Sequence, residues 1–173
     1  MNRWLLALAL WFAATAGAVA AEVNIPVFAI TETGTTMPIG MVKALDTDEG
    51  LQLTPSLTGL PPGEHGFHVH ANGDCGAKPV DGKPVAGMAA GGHLDPSGAG
   101  KHEGPAGHGH LGDLPPLLVG ADGKVSTAVL APRLKVADLH GHALMIHAGG
   151  DNFADEPKPL GGGGARIACG VVL

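Results

Sequence analysis

Gly66-Phe67-His68-Val69-His70 has the composition and alternation of a short β-strand. Residues two apart on a strand share a face, so Val69 points to the core and the imidazoles of His68 and His70 project side by side from the other face. Both rings can then reach one metal ion. A His-x-His pair is also an ordinary surface arrangement, so its meaning rests on what surrounds it.

Strand-like segments of the same kind recur on either side. Val23 to Thr31, Ile39 to Leu45 and Leu51 to Leu57 precede it, and Lys124 to Leu130, Ala143 to Ala148 and Ala165 to Leu173 follow. Turn formers separate them: Asp46-Thr47-Asp48-Glu49-Gly50, Pro61-Pro62-Gly63 and Asp122-Gly123. No long segment has a 3.6-residue period. About seven short strands punctuated in this way predict an all-β sandwich or barrel. At 173 residues the chain is one domain. The collagen pattern is excluded because the glycines have no three-residue period.

Two stretches interrupt the strand rhythm, Ala71 to Leu118 and His147 to Gly164. Loops of this length without secondary structure are uncommon unless they are functional. The first carries His93, His102, His110 and Asp113 among Gly, Pro and Lys. Three imidazoles and one carboxylate make a complete tetrahedral set for zinc with no open position. Such a site orders a loop that has no core of its own. His147 ends the apolar strand Ala143 to Ile146, with Asp151 four residues on. Taken alone it is an ordinary core histidine, and only the company of His68 and His70 gives it weight as a ligand.

The ends of the chain set its compartment. Arg3, the apolar run Leu5 to Phe12 and the small residues Ala18-Val19-Ala20 form a secretory signal peptide over 1–20, cleaved after Ala20 or Ala21. The apolar run is too short to span a bilayer comfortably, so no membrane anchor is expected after cleavage. The domain proper is then 21–173. Cleavage removes both tryptophans and leaves Phe28, Phe67 and Phe153 as the only non-histidine aromatics, so the core must be aliphatic. In an oxidising compartment the two cysteines, Cys75 and Cys169, are most simply one disulfide. The net charge of −6, with no Lys/Arg run, argues against nucleic acid as a partner.

Six ordered segments together resemble the copper/zinc superoxide dismutase family in its bacterial exported form. They are His65-Gly66-Phe67-His68-Val69-His70, Gly91-Gly92-His93-Leu94-Asp95-Pro96, Lys101-His102-Glu103-Gly104-Pro105, Gly109-His110-Leu111-Gly112-Asp113-Leu114-Pro115, Met145-Ile146-His147-Ala148-Gly149-Gly150-Asp151-Asn152, and Gly161 to Gly164 with Ala165-Arg166-Ile167-Ala168-Cys169-Gly170. The resemblance implies a Greek-key β-barrel of seven to eight antiparallel strands with long metal-binding loops. It implies one copper per subunit on His68, His70, His93 and His147. One zinc would lie on His93, His102, His110 and Asp113, with His93 shared between the two metals. It implies a Cys75–Cys169 disulfide, Arg166 beside the copper, and Asp151 linking a copper ligand to a zinc ligand. The implied reaction is dismutation of superoxide to oxygen and hydrogen peroxide in the periplasm, by a monomer or homodimer, protecting the cell envelope. His93 would take and return a proton during turnover.

Physical chemistry supports these roles. Imidazole suits copper, which cycles between two oxidation states where zinc cannot. Arg166 has a fixed fork of donors suited to a small anion. It is needed because the chain without Arg3 carries 9 basic against 16 acidic groups, which repels superoxide. Lys78, Lys83, Lys101 and Lys158 are further candidates for attraction. His65, His108, His140 and His142 are left for structural or surface roles. A copper-delivery protein would expose soft Cys or Met ligands, and the five methionines are scattered. A copper-only relative of the enzyme would not need His102, His110 and Asp113. An adhesion module would leave the histidines unexplained.

Overall fold

In the computed structural model, residues 20–173 are described, and the expected leader, 1–20, lies outside them except for Ala20. The main sheet runs β10-β3-β2-β1-β12-β11-β5. Its members are β1 Glu22–Thr31, β2 Gly34–Thr47, β3 Gly50–Thr58, β5 Phe67–His70, β10 Val129–Ala131, β11 Ala143–His147 and β12 Arg166–Val171. All its pairings are antiparallel. Strands β1, β2 and β3 form a meander, and β12 returns through a long connection to lie beside β1. That spatial order, last-first-second-third, is a Greek key.

The sheet curls because one face of each strand has a common apolar interior. In β3, Leu51, Leu53 and Leu57 are buried while Ser56 and Thr58 are exposed. Ile25 and Val27, Val42 and Ala44, Phe67 and Val69, Leu144 and Ile146, and Ala168 join them in one core. Among the described residues, Phe67 is the only large aromatic of its fully buried side chains, and the rest is aliphatic. The opposite face of β11 and β12 is buried too. Ala143, Met145 and Cys169 pack there with Ile30, Cys75 and Ala90 from outside the barrel wall. Cys75 and Cys169 are bonded, with Cα atoms 5.8 Å apart, which straps the 71–92 segment onto β12. Closing a loop of 94 residues stabilises by ~4–5 kcal/mol in the chain-entropy account.

The strand limits differ from expectation in three places. Lys124 to Leu130 is not one strand: β9 Lys124–Val125 pairs with Leu57 and Thr58, and β10 pairs with Leu51 to Leu53. Short β4 Gly63–His65 and β8 Leu117–Val119 pair with each other off the main sheet. The segment expected to be loop also holds a hairpin of β6 Lys78–Val80 and β7 Lys83–Val85. All six of its strand residues are exposed, so no buried face betrays it.

Candidate metal centre

The centre lies on the outer face of the barrel, where β5 and β11 run side by side. Met145 is paired with His68 and Ala143 with His70, while Val69 and Leu144 face the core. His68, His70 and His147 therefore leave the sheet on the same side. The 91–113 loop closes over them by pairing with the free edge of β5. Leu94 N–H donates to Val69 O, Val69 N–H to Gly112 O, and Gly112 N–H to Leu94 O, at 2.8–2.9 Å. These bonds set His93 opposite His70 and Asp113 opposite His68. Two backbone ladders thus bring distant parts of the chain to one place.

Two clusters result. Ligand atoms of His68, His70, His93 and His147 lie within 4.8 Å of one another, and so do those of His93, His102, His110 and Asp113. All these residues are buried. His93 belongs to both. The structure thus brings together the side chains expected to share each metal.

Hydrogen bonds fix which nitrogen of each ring faces the cluster. His68 Nε2–H donates to Asp151 Oδ2, and His102 Nε2–H to Asp151 Oδ1, both at 2.7 Å. His70 Nδ1–H donates to Gly91 O at 2.9 Å and His147 Nδ1–H to Gly164 O at 3.2 Å. These oxygens can only accept, so the hydrogens sit on those nitrogens and the other nitrogens present lone pairs. His70 Nε2 and His147 Nε2 stand 3.3 Å apart, facing each other. His68 Nδ1, His93 Nε2, His102 Nδ1 and His110 Nδ1 are buried with no hydrogen-bond partner. His102 Nδ1 comes within 3.0 Å of Asp113 Oδ1, but not along a hydrogen-bond direction.

Four orphaned nitrogens in one buried region would each be costly without a partner, and two cations supply it. An all-imidazole group suits copper and a three-His, one-Asp group suits zinc, so the residues fit both metals. The electrostatics agree. Burial drives His70 down to about 2, His147 to about 3 and His93 to about 4, so these rings are neutral and ready to bind. His102 behaves otherwise: burial opposes its charge, but the carboxylates of Asp113 and Asp151 outweigh burial and raise it to about 9. Burial likewise works against ionised Asp113 and Asp151, and their histidine partners hold both carboxyls below the usual range. Two buried carboxylates beside one ring thus mark a place that favours positive charge.

Arg166 sits opposite His147 in the β11–β12 pair. Its Nη1 and Nη2 donate to Gly87 O and Gly91 O, both at 2.6 Å. Gly91 O also accepts from His70, so one carbonyl positions a ring and a guanidinium together. Gly87 has φ +67°, and a Cβ there would lie 3.2 Å from Arg166 Cδ. Lys78, Lys83, Lys101 and Lys158 are exposed.

His65 is buried beneath the site, where its Nδ1 meets His147 O at 2.6 Å and its Nε2 meets Pro61 O at 2.8 Å. His140 and His142 contact Leu173 O and Ala71 O, and His108 is exposed. Sequence reasoning did not find Asp155, whose Oδ2 accepts from His102 N–H at 3.0 Å. Nor did it find Arg133, which holds the backbone of the 104–110 segment. No sequence signal marks either contact. Among the described residues no helix is long and apolar enough to cross a membrane.

A Greek-key β-barrel with two buried clusters that share one histidine defines a protein built to hold two metal ions side by side. The family model for copper/zinc superoxide dismutase matches residues 39–172. A superoxide dismutase [Cu-Zn] of Escherichia coli K12 is 54% identical over 173 residues, 99% of each chain. The structure of a Cu/Zn superoxide dismutase from Brucella abortus covers 88% of this chain and all of its own, with a TM-score of 0.87 and 47% identity. The solution structure of a monomeric copper, zinc superoxide dismutase from Salmonella enterica gives 0.80 and 56% over the same shares. The chain belongs to the copper/zinc superoxide dismutase family. It is an oxidoreductase whose reaction is the dismutation of superoxide to oxygen and hydrogen peroxide, with copper and zinc as cofactors.

Proposed function

We propose that His68, His70, His93 and His147 hold the copper, that His93, His102, His110 and Asp113 hold the zinc, and that His93 and Arg166 act in turnover. Bound copper supplies a one-electron couple, so one superoxide is oxidised to oxygen and a second is reduced, with two protons, to hydrogen peroxide. His93 Nε2 is the atom that takes up and gives back one of those protons, and its Nδ1 faces Asp113 Oδ1 at 2.9 Å. Arg166 attracts the anion and orients it. Its hydrogen bonds to Gly87 O and Gly91 O keep the guanidinium fixed beside the four-imidazole group. Asp151 holds the rings of His68 and His102 at once and so couples the two clusters. The observation that carries this reading is the set of four unpartnered nitrogens, on His68 in one cluster, on His102 and His110 in the other, and on His93, which belongs to both.

The proposed setting is the periplasm, reached through the leader at 1–20, with 21–173 as the working domain and protection of the cell envelope as the benefit. The Cys75–Cys169 disulfide suits that oxidising compartment. A monomer is the favoured assembly, supported by the Salmonella enterica relative described as monomeric. Metal analysis of the exported protein, paired with superoxide decay before and after chelation, tests the site. One copper and one zinc per chain with copper-dependent decay is expected; decay indifferent to copper removal would sink the assignment. Amino-terminal sequencing of the exported protein should begin at Ala21 or Glu22.

A further inference from the structure

Beyond the ligands, one charged residue stands where the zinc-binding loop has least structure of its own. Between Asp95 and Pro116 the chain forms no strand or helix. Few of its backbone carbonyls join a ladder, and Gly104 O and His110 O take only long turn bonds, from Gly107 N–H at 3.3 Å and Asp113 N–H at 3.4 Å, yet a half-buried carbonyl needs a donor. The guanidinium of Arg133 supplies donors for four of them. Nε donates to Pro105 O at 3.0 Å, Nη1 to Gly109 O at 3.1 Å, and Nη2 to both Gly104 O at 3.3 Å and His110 O. Two carbonyls before the tip of the segment and two after it converge on one planar group.

The base of Arg133 is firmly held. It follows β10, and Leu134 and Val136 beside it are buried in the barrel core. Val136 N–H donates to Asp46 Oδ1 at 2.7 Å, and Lys135 Nζ reaches Thr47 O at 2.8 Å. The guanidinium is thus a fixed point of the framework rather than a surface charge free to move. A rigid fork with five donors can satisfy four divergent carbonyls; an ammonium with three donors on a flexible stem cannot.

We infer that Arg133 is a positioning residue for zinc: it closes the 104–110 segment around its guanidinium and so presents His110 to the ion before the ion arrives. The inference rests on the reading of His93, His102, His110 and Asp113 as the zinc ligands. Preorganisation of this kind shows in how tightly zinc is held, without altering which atoms bind it. Outer partners of metal ligands typically contribute about 10–100-fold in affinity.

The test uses the disulfide-intact, copper-free chain and Zn2+ alone, with wild type, Arg133→Lys and Arg133→Gln. Two quantities are read: the rate of zinc release to a competing chelator, and the rise in Tm on adding zinc to the zinc-free protein. The expected result for both variants is release ~10–100-fold faster and a smaller zinc-dependent rise in Tm, with the zinc-free Tm little changed. Arg133→Lys should fail like Arg133→Gln although it keeps the charge. Release and Tm rise equal to wild type would overturn the inference. So would an equal loss of Tm with and without zinc, or failure of the zinc-free variants to fold, since Arg133 would then serve the barrel and not the ion. If the wild-type chain itself bound no zinc, the ligand assignment would fall first, a different result from wild-type-like binding in the variants.

Discussion

Asp151 is the carboxylate that touches a ring from each cluster, and both of its oxygens are used. Asp151→Asn replaces one acceptor oxygen by an NH2 donor facing a ring N–H. One of the two rings then loses its anchor and must change tautomer or turn. His102 has the more to lose, because the other group that holds its charge is Asp113. Zinc retention should drop ~10–100-fold while the chain stays folded. Dialysis against graded chelator followed by metal analysis measures it, and wild-type retention would remove the coupling role. Gly161 reports on the same contact from the other side. It has φ +71°, and a Cβ would fall against Asp151 Oδ1 and 2.8 Å from His102 Nε2. Gly161→Ala should therefore reproduce the zinc loss of Asp151→Asn without removing any polar group; full zinc content in that variant would contradict the packing. The side chains that gather in the two clusters were legible at this scale, because metal chemistry restricts residue types and the ordered segments carry them. The carbonyls of Gly91 and Gly164 were not, because a backbone oxygen has no letter in the sequence.

At the scale of elements, the strands were legible where apolar residues recur at every second position. Leu51, Leu53 and Leu57 announce β3, and Phe67 with Val69 announces β5. Lys78-Pro79-Val80 and Lys83-Pro84-Val85 escaped because neither strand has a buried side. Only Asp81-Gly82, a two-residue turn with positive φ at both positions, could have marked that hairpin. The disulfide governs how well this part of the chain is held. It straps Cys75 to β12, and the strapped segment goes on to supply Gly87 O and Gly91 O to Arg166. Cys75→Ser with Cys169→Ser should cost ~4–5 kcal/mol from loop closure. It should also slow superoxide decay in fully metal-loaded protein, because Arg166 loses a rigid seat. Equilibrium denaturation checks the first effect. Decay rates at matched copper content check the second, and an undiminished rate would show that the strap serves stability alone.

Charge acts over the whole molecule, and here the global and local signs oppose each other. The chain is acidic by six charges, so a small anion approaching at random meets repulsion. Arg166 is half-buried, and its field emerges at the metal centre, where low-dielectric walls focus it. Salt distinguishes the two contributions, since exposed charges more than a Debye length away, about 8–10 Å near physiological ionic strength, are screened first. If the local positive field dominates approach, the rate of superoxide decay falls as ionic strength rises. If the global charge dominates, the rate climbs. The expected outcome is a fall for the wild-type chain. Arg166→Glu reverses the local sign, so its rate should drop steeply at low salt and recover as salt is added, with copper and zinc content unchanged. A wild-type rate that rises with salt, or an Arg166→Glu rate close to wild type, would mean that this arginine does not guide the substrate.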